Sequence, residues 1–140
     1  MDKRPLWARM DAASRQGTGA VAGAEVPAEP GVFALYRNGA AVFLGRAPAD
    51  GGLRERVYDR HLATGPDLTA SAFRRNVATR LKVADVEEVR SRPLTKAEVS
   101  RVNRWVAGCD VAWLTCADDD EATTLEHQLK AEFRPPLTKR

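Results

Sequence analysis

Asn38-Gly39, set between Gly31-Val32-Phe33-Ala34-Leu35-Tyr36-Arg37 and Ala40-Ala41-Val42-Phe43-Leu44-Gly45, constrains this chain more than any other stretch. Asn-Gly readily takes positive φ at both centres of a type I′ turn, whose twist matches that of two antiparallel strands. The flanking runs are rich in β-formers, so the stretch predicts a hairpin. Alternation puts Val32, Ala34 and Tyr36 on one face and Phe33 and Leu35 on the other. Both faces are apolar, which predicts a sheet covered on both sides rather than one open to water.

Residues 1–29 read as an N-terminal helix and a linker, and residues 30–140 as the main domain. Leu6, Met10 and Ala13 recur at helical spacing after Pro5, a residue suited to a first turn, and predict a short helix over 3–15. Residues 16–30 are rich in Gly, Ala and Pro and predict a linker. After the hairpin, residues 46–52 predict a loop, with Pro48 and Gly51-Gly52 preventing an early helix. A helix over 53–62 follows, with Leu53 and Val57 toward the core and Arg56 and Arg60 on a more exposed stripe. Gly65-Pro66 predicts another loop, and Phe73, Val77 and Leu81 stripe a helix over 69–81. Residues 85–90 suit either a short helix or an extended connector. Thr95 and Glu98 form a capping box for a helix that Gly108 ends, with Val99, Val102 and Val106 buried. Residues 111–116 predict a third strand. Asp118-Asp119-Asp120-Glu121 opens the last helix; its position favours capping of the positive helix end over metal binding. Leu125, Leu129 and Phe133 continue the core, and Pro135-Pro136 stops the helix. The pattern is α+β: a small three-stranded antiparallel sheet flanked by helices.

At 140 residues, 44% of them hydrophobic, the chain suits one domain with a real core. No stretch approaches the roughly 20 apolar residues of a membrane span, and the first eleven residues hold no continuous apolar run. A cytoplasmic protein without membrane contact is expected. Cys109 and Cys116 fit no ligand spacing, and only His61 and His127 could join them, so reduced thiols are expected rather than zinc. The net charge of +3 conceals an asymmetry: residues 37–82 hold nine Lys/Arg against four Asp/Glu, and residues 83–140 hold nine against eleven. A basic middle suits a polyanion-facing surface or an ordinary solvated one; charge alone leaves both open.

Gly31-Val32-Phe33, followed after a short gap by Phe43-Leu44-Gly45, resembles the paired tripeptides of the GIY-YIG endonuclease family. The resemblance runs from about Pro30 to Leu137. It takes in an arginine on the helix after the hairpin, Arg56, and a late carboxylate, Glu126, ahead of Pro135-Pro136-Leu137. It implies that family's α+β fold and metal-dependent phosphodiester hydrolysis with Mg²⁺ or Mn²⁺. The implied partner is nucleic acid, DNA ahead of RNA. In the family, tyrosines of the two tripeptides, an arginine and one metal-bound carboxylate share the chemistry.

Carried over residue by residue, Glu126 matches the metal carboxylate. Mg²⁺ commonly takes one carboxylate plus waters and substrate phosphate, so a lone Glu suffices. The other reading of Glu126 is a helix pair with Lys130 at i+4. Arg56 matches the family arginine, whose planar fork suits a phosphate; it also fits a solvated basic face shared with Arg54 and Arg60. His61 resembles the histidine that often follows this arginine by one turn. It stands five residues on where four is usual, and Arg60 takes the fourth place. Arg46, Arg54, Arg60, Arg74 and Arg75 are the candidate nucleic-acid contacts.

The departures bear on activity. Phe33 and Phe43 stand at the tyrosine positions of the catalytic pattern and have no hydroxyl to take a proton from water or bond a phosphate. Loss of such general-base help costs about two to four orders of magnitude in rate. Thr138 stands where the family has Asn. Tyr36 alternates away from Phe33, which leaves Tyr58, four residues after Arg54, as a substitute hydroxyl. The expectation is a nuclease-like domain acting on nucleic acid, with hydrolysis impaired by Phe33 and Phe43. The alternative is a non-catalytic nucleic-acid-binding or protein-interaction module on the same fold. Both nucleic-acid readings require Arg56 and Glu126 to converge beside the hairpin.

Overall fold

The computed structural model describes residues 4–138. Residues 1–3 and 139–140, the outer ends of the two expected segments, lie outside the described residues. The chain runs α1 (Pro5–Ala12), β1 (Gln16–Gly17), a 3₁₀ turn (Gly23–Glu25), β2 (Gly31–Arg37), β3 (Ala40–Ala47) and a π-helix (Arg54–His61). Then come α2 (Ala72–Arg80), α3 (Val86–Ser91), α4 (Lys96–Ala107), β4 (Asp110–Thr115) and α5 (Asp119–Glu132). The fold is α+β, with an antiparallel sheet of order β1-β4-β2-β3.

Asn38 and Gly39 take φ of 53° and 81°, the left-handed pair that the hairpin turn demands. The register runs from Gly31↔Ala47 to Arg37↔Ala40 and slips once, between Leu35↔Phe43 and Tyr36↔Ala41. Val42 is therefore a bulged residue, and bulges sharpen local twist. The Val42 carbonyl accepts the Leu137 N–H at 2.8 Å, and the Leu44 N–H donates to Thr138 Oγ1 at 2.8 Å. The end of the described chain thus satisfies part of β3's outer edge, which would otherwise invite pairing with another strand.

The sheet is covered on both faces. Phe33, Leu35 and Phe43 pack with Leu53, Val57, Phe73, Val77 and Val102 on one side. Val32, Ala34, Tyr36 and Leu44 pack with Leu125, Leu129, Trp7 and Met10 on the other. Burying each such side chain stabilises the fold by roughly 1.5–3 kcal/mol. On the second side α1 is locked to α5: Trp7 Nε1 donates to the carbonyls of Leu129 and Phe133 at 2.9 and 3.0 Å, and Glu132 accepts the Leu6 and Trp7 N–H groups at 3.1 Å. Glu132 so satisfies donors that a helix start leaves free.

Four expectations need correction. Arg46 and Ala47, expected in the loop after the hairpin, belong to β3 and pair with Val32 and Gly31. The sheet has four strands rather than three, because Gln16-Gly17, inside the expected linker, pairs with Val111 and Asp110. Two residues are too few to show an alternating pattern, and the Gly/Ala/Pro composition hides them. Thr18 fixes the register by donating its N–H to Cys109 O at 3.0 Å and its hydroxyl to Val106 O at 2.6 Å. The helix expected from residue 69 begins at Ala72, because Ser71 caps it. The helix over 53–62 is wound with i→i+5 bonds rather than i→i+4. Residues 85–90, open between two readings, are helical: Asp85 and Glu88 complete a capping box. Asp118 caps α5, accepting the Glu121 N–H at 2.8 Å. Among the described residues no helix is long and apolar enough to cross a membrane.

Candidate functional site

A cleft of about 480 Å³ opens along the β3 edge of the sheet. An edge strand is where side chains from opposite faces of a sheet can meet. The register Val32↔Arg46 puts Arg46 on the face that α5 covers, and Phe33↔Gly45 puts Phe33 on the face of the π-helix. Arg46 comes from β3, Arg56, Arg60 and His61 from the π-helix, Arg75 and Asn76 from α2, and Glu126 and Lys130 from α5. Among the described residues five cations, Arg46, Arg56, Arg60, Arg75 and Lys130, thus line the cleft with one carboxylate, Glu126.

Phe33 and Phe43 form the apolar floor, 0% and 5% exposed. A glycine at position 45 makes room for this: any Cβ there would sit 2.4 Å from Phe33 Cζ. Phe33 therefore packs directly onto the β3 backbone.

The winding of the π-helix settles how Arg56 and His61 relate. Leu62 donates its N–H to Val57 O at 2.9 Å, five residues back. Arg60 pairs with Glu55, also five residues apart. With i→i+5 bonding, residues five apart stack much as residues four apart do in an α-helix. Arg56 and His61, five residues apart, therefore stand on one side of this helix, and both reach the cleft.

His61 is 4% exposed and boxed by phenyl rings, its centroid 5.3 Å from Phe33, 5.4 Å from Phe43 and 6.2 Å from Phe73. Its Nδ1 lies 2.6 Å from Ser71 Oγ. Burial first, then the Arg56, Arg60 and Arg75 charges, push its pKa down to about 3. The ring is neutral at physiological pH. Arg56 is likewise lowered from the usual arginine value, by burial and then by Arg60, with Glu55 opposing and Arg46 and Glu126 also within electrostatic reach.

Glu126 Oε1 lies 3.5 Å from Arg46 Nε, and its Oε2 lies 3.6 Å from Lys130 Nζ. These contacts are longer than charge-assisted hydrogen bonds, so neither oxygen is closed off. Arg46 Nε itself is buried without a hydrogen-bond partner. Among the described residues no group of three or more His, Cys, Asp or Glu is placed to hold a metal. A divalent ion here would have Glu126 as its one carboxylate ligand among the described residues and would need phosphate and waters to complete its shell.

Three sequence candidates lie elsewhere. Arg74 is 1% exposed, and its guanidinium donates to Gly65 O at 2.7 Å and Asn103 Oδ1 at 3.1 Å, so it pins a loop to α4, outside the cleft lining. Arg54 donates to Val26 O at 2.9 Å and holds the π-helix to the preceding segment. Tyr58, 40% exposed, lies against Gly23 rather than in the cleft. Tyr36 is buried on the other face, its hydroxyl donating to Asp11 Oδ1 at 2.7 Å. Thr69, Ser71 and Asn76 are the residues that sequence reasoning passed over. For Ser71 a signal existed: a serine directly before the Phe73/Val77 stripe is a helix-cap signature.

No family model, characterised protein or solved structure matches this chain.

Proposed function

We propose that this chain is a GIY-YIG nuclease-like domain that binds nucleic acid, DNA ahead of RNA, by gripping the phosphodiester backbone in the edge cleft. One observation carries the reading: Arg46, Arg56, Arg60, Arg75 and Lys130 converge on one carboxylate. Arginine forks and a lysine point charge suit phosphate oxygens, and their excess positive charge favours a polyanion. The test is fluorescence anisotropy with a labelled single-stranded oligonucleotide, a DNA duplex and an RNA of the same sequence. Binding that weakens steeply as salt rises is expected, because phosphate contacts release counterions. Binding that ignores salt, or no binding at all, would overturn the reading.

Hydrolysis is a second reading, favoured by the presence of Glu126 and Arg56 in one cleft. Glu126 would hold Mg²⁺ or Mn²⁺ together with the bound phosphate. Such an ion supplies charge neutralisation and a more acidic bound water. Arg56 would orient the phosphate, and Phe33 and Phe43 exclude water from the floor without supplying a hydroxyl. Slow or absent nicking of supercoiled DNA is the expected result with either ion. Rapid nicking that survives Glu126→Ala would rule this mechanism out. Cleavage gained by a Phe33→Tyr, Phe43→Tyr double variant would show that the missing hydroxyls are what limits the cleft.

A further inference from the structure

The hydroxyl of Ser71 is committed on two sides. Its oxygen accepts the Arg74 N–H at 3.0 Å, capping α2, and it lies 2.6 Å from His61 Nδ1. Ser71 is 2% exposed, and among the described residues its hydroxyl makes no other hydrogen bond. A proton on Nδ1 would point at an oxygen that already accepts one bond and would leave the serine hydrogen with nowhere to go. Leaving a buried donor unmade is the costly arrangement. The Ser71 O–H therefore donates to Nδ1, and Nδ1 is an acceptor.

His61 is boxed by three phenyl rings and faces three guanidiniums, surroundings that exclude the imidazolium. In the neutral ring, with Nδ1 accepting, the single proton sits on Nε2. Among the described residues that nitrogen has no hydrogen-bond partner, yet it is not among the fully buried unpaired atoms. Since His61 lines the cleft, the Nε2–H faces the space where a ligand would lie.

We propose that His61 is a neutral hydrogen-bond donor, through Nε2–H, to a phosphate oxygen held among Arg56, Arg60 and Arg75, with Ser71 as the positioning residue that fixes its tautomer. This rests on reading the cleft as a phosphodiester site. The role differs from that of a proton acceptor: an imidazole that presents N–H to the ligand cannot take a proton from an attacking water. It adds a directed donor to a ring of charges, which is how a neutral histidine can serve an anion without proton transfer. Among the described residues lining the cleft, Glu126 is then the carboxylate that could accept a proton.

The experiment is ¹⁵N NMR of the imidazole nitrogens in the intact chain, free and with two probes: inorganic phosphate and a single-stranded DNA oligonucleotide. The expected spectrum has a protonated Nε2 and a bare Nδ1, with the Nε2–H resonance moving on addition of the oligonucleotide. A proton on Nδ1 overturns the proposal whatever binds. A protonated Nε2 that moves with inorganic phosphate, while no oligonucleotide binds, keeps the donor role and removes the nucleic-acid reading. Oligonucleotide binding that leaves Nε2–H unmoved does the reverse, and so does a resonance that neither probe moves as far as the donor role is concerned. Ser71→Ala is expected to mix the two tautomers and Ser71→Thr to restore one. His61→Phe, which fills the ring box and donates nothing, is expected to weaken oligonucleotide binding roughly tenfold. His61→Gln, which keeps an N–H, is expected to recover part of that loss; equal loss in both variants counts against a donor.

Discussion

Two depressions on this surface differ more in chemistry than in size. The edge cleft, about 480 Å³, draws Arg46, Arg56, Arg60, Arg75 and Lys130 from four separate elements around one carboxylate. A larger groove, about 720 Å³, lies against α4, with Pro66, Leu94 and Val99 as its apolar lining and Lys96 and Arg104 as its cations. Both of those cations belong to a single helix, where solvent reaches them and they cost little. Assembling five around Glu126 is different. Like charges brought together from distant parts of the chain repel one another, and the folding free energy must absorb it. An anion from solution relieves that repulsion, so the smaller depression is the better candidate for a phosphate. Size alone would have chosen the other.

The sharpest way to break this comparison is to strip charge from each depression in turn. Arg46→Ala with Arg56→Ala removes two charged donors from the cleft. Hydrogen bonds to charged groups contribute about 1.5–3 kcal/mol each, so a loss of oligonucleotide affinity of at least about a hundredfold is expected at low salt. Lys96→Ala with Arg104→Ala removes the same charge from the groove and is expected to change affinity less than about threefold. Anisotropy titrations of both double variants decide it. If the groove variant is the one that fails to bind, the cleft has been misread.

Neighbouring arginines supply the second contrast. Arg74 and Arg75 are adjacent, yet one is buried beneath a loop and the other lines the cleft. Arg74→Ala removes the partner of Gly65 O and Asn103 Oδ1 and is expected to cost about 2 kcal/mol in urea unfolding. The variant that still folds should bind oligonucleotide within about twofold of the parent. An affinity loss larger than the stability loss would mean that Arg74 meets the ligand after all.

That pair also marks the limit of what a sequence reveals. Helical spacing located both residues on α2 but could not say which side of the helix a loop would cover, because Gly65-Pro66 carries no pattern that reports its packing. Asn38-Gly39 and the alternation around it were legible, since turn geometry and strand period are local properties. The capping residues Asp118 and Thr95 were legible for the same reason. The meeting of Arg56 with Glu126 was readable only through a resemblance, because it depends on β3 being an edge strand, and edge position follows from long-range pairing. Gln16-Gly17 fell below the length at which period can be seen. The π-helix was invisible because apolar spacing and propensity do not distinguish i→i+5 from i→i+4 winding over two turns.

Acid should separate the cleft from the rest of the fold. Unfolded, His61 titrates near 6.5; folded, near 3. Between those values the unfolded chain binds a proton that the folded chain does not. Its contribution to stability is therefore complete above pH 6.5 and is lost as the pH falls toward 3, at up to about 1.4 kcal/mol per pH unit. Carboxylates add losses of their own at lower pH, so the informative window is pH 6.5 to 5. In that window urea midpoints of the parent should fall with acid, and those of His61→Phe should stay nearly level. Parallel curves would place the His61 pKa close to its ordinary value and remove the reason to regard the ring box as desolvating. No such window is expected for the α4 groove, whose lining holds no histidine.

The smallest expected effect tests the comparison one charge at a time. Counterion release makes the logarithm of affinity fall linearly with the logarithm of salt, with a slope near 0.7 per neutralised phosphate for single strands. Arg75→Ala removes one cleft charge that also braces the Thr69 carbonyl. It should lower affinity several-fold at low salt and reduce the slope by about 0.7. Arg104→Ala removes one groove charge and should leave the slope unaltered. The slope is a better measure than affinity here, because loosening the loop at Thr69 could weaken binding without changing how many phosphates are held. A weaker Arg75→Ala with an unchanged slope would make Arg75 a brace for the loop, and the cleft would then grip phosphate with its other four cations alone.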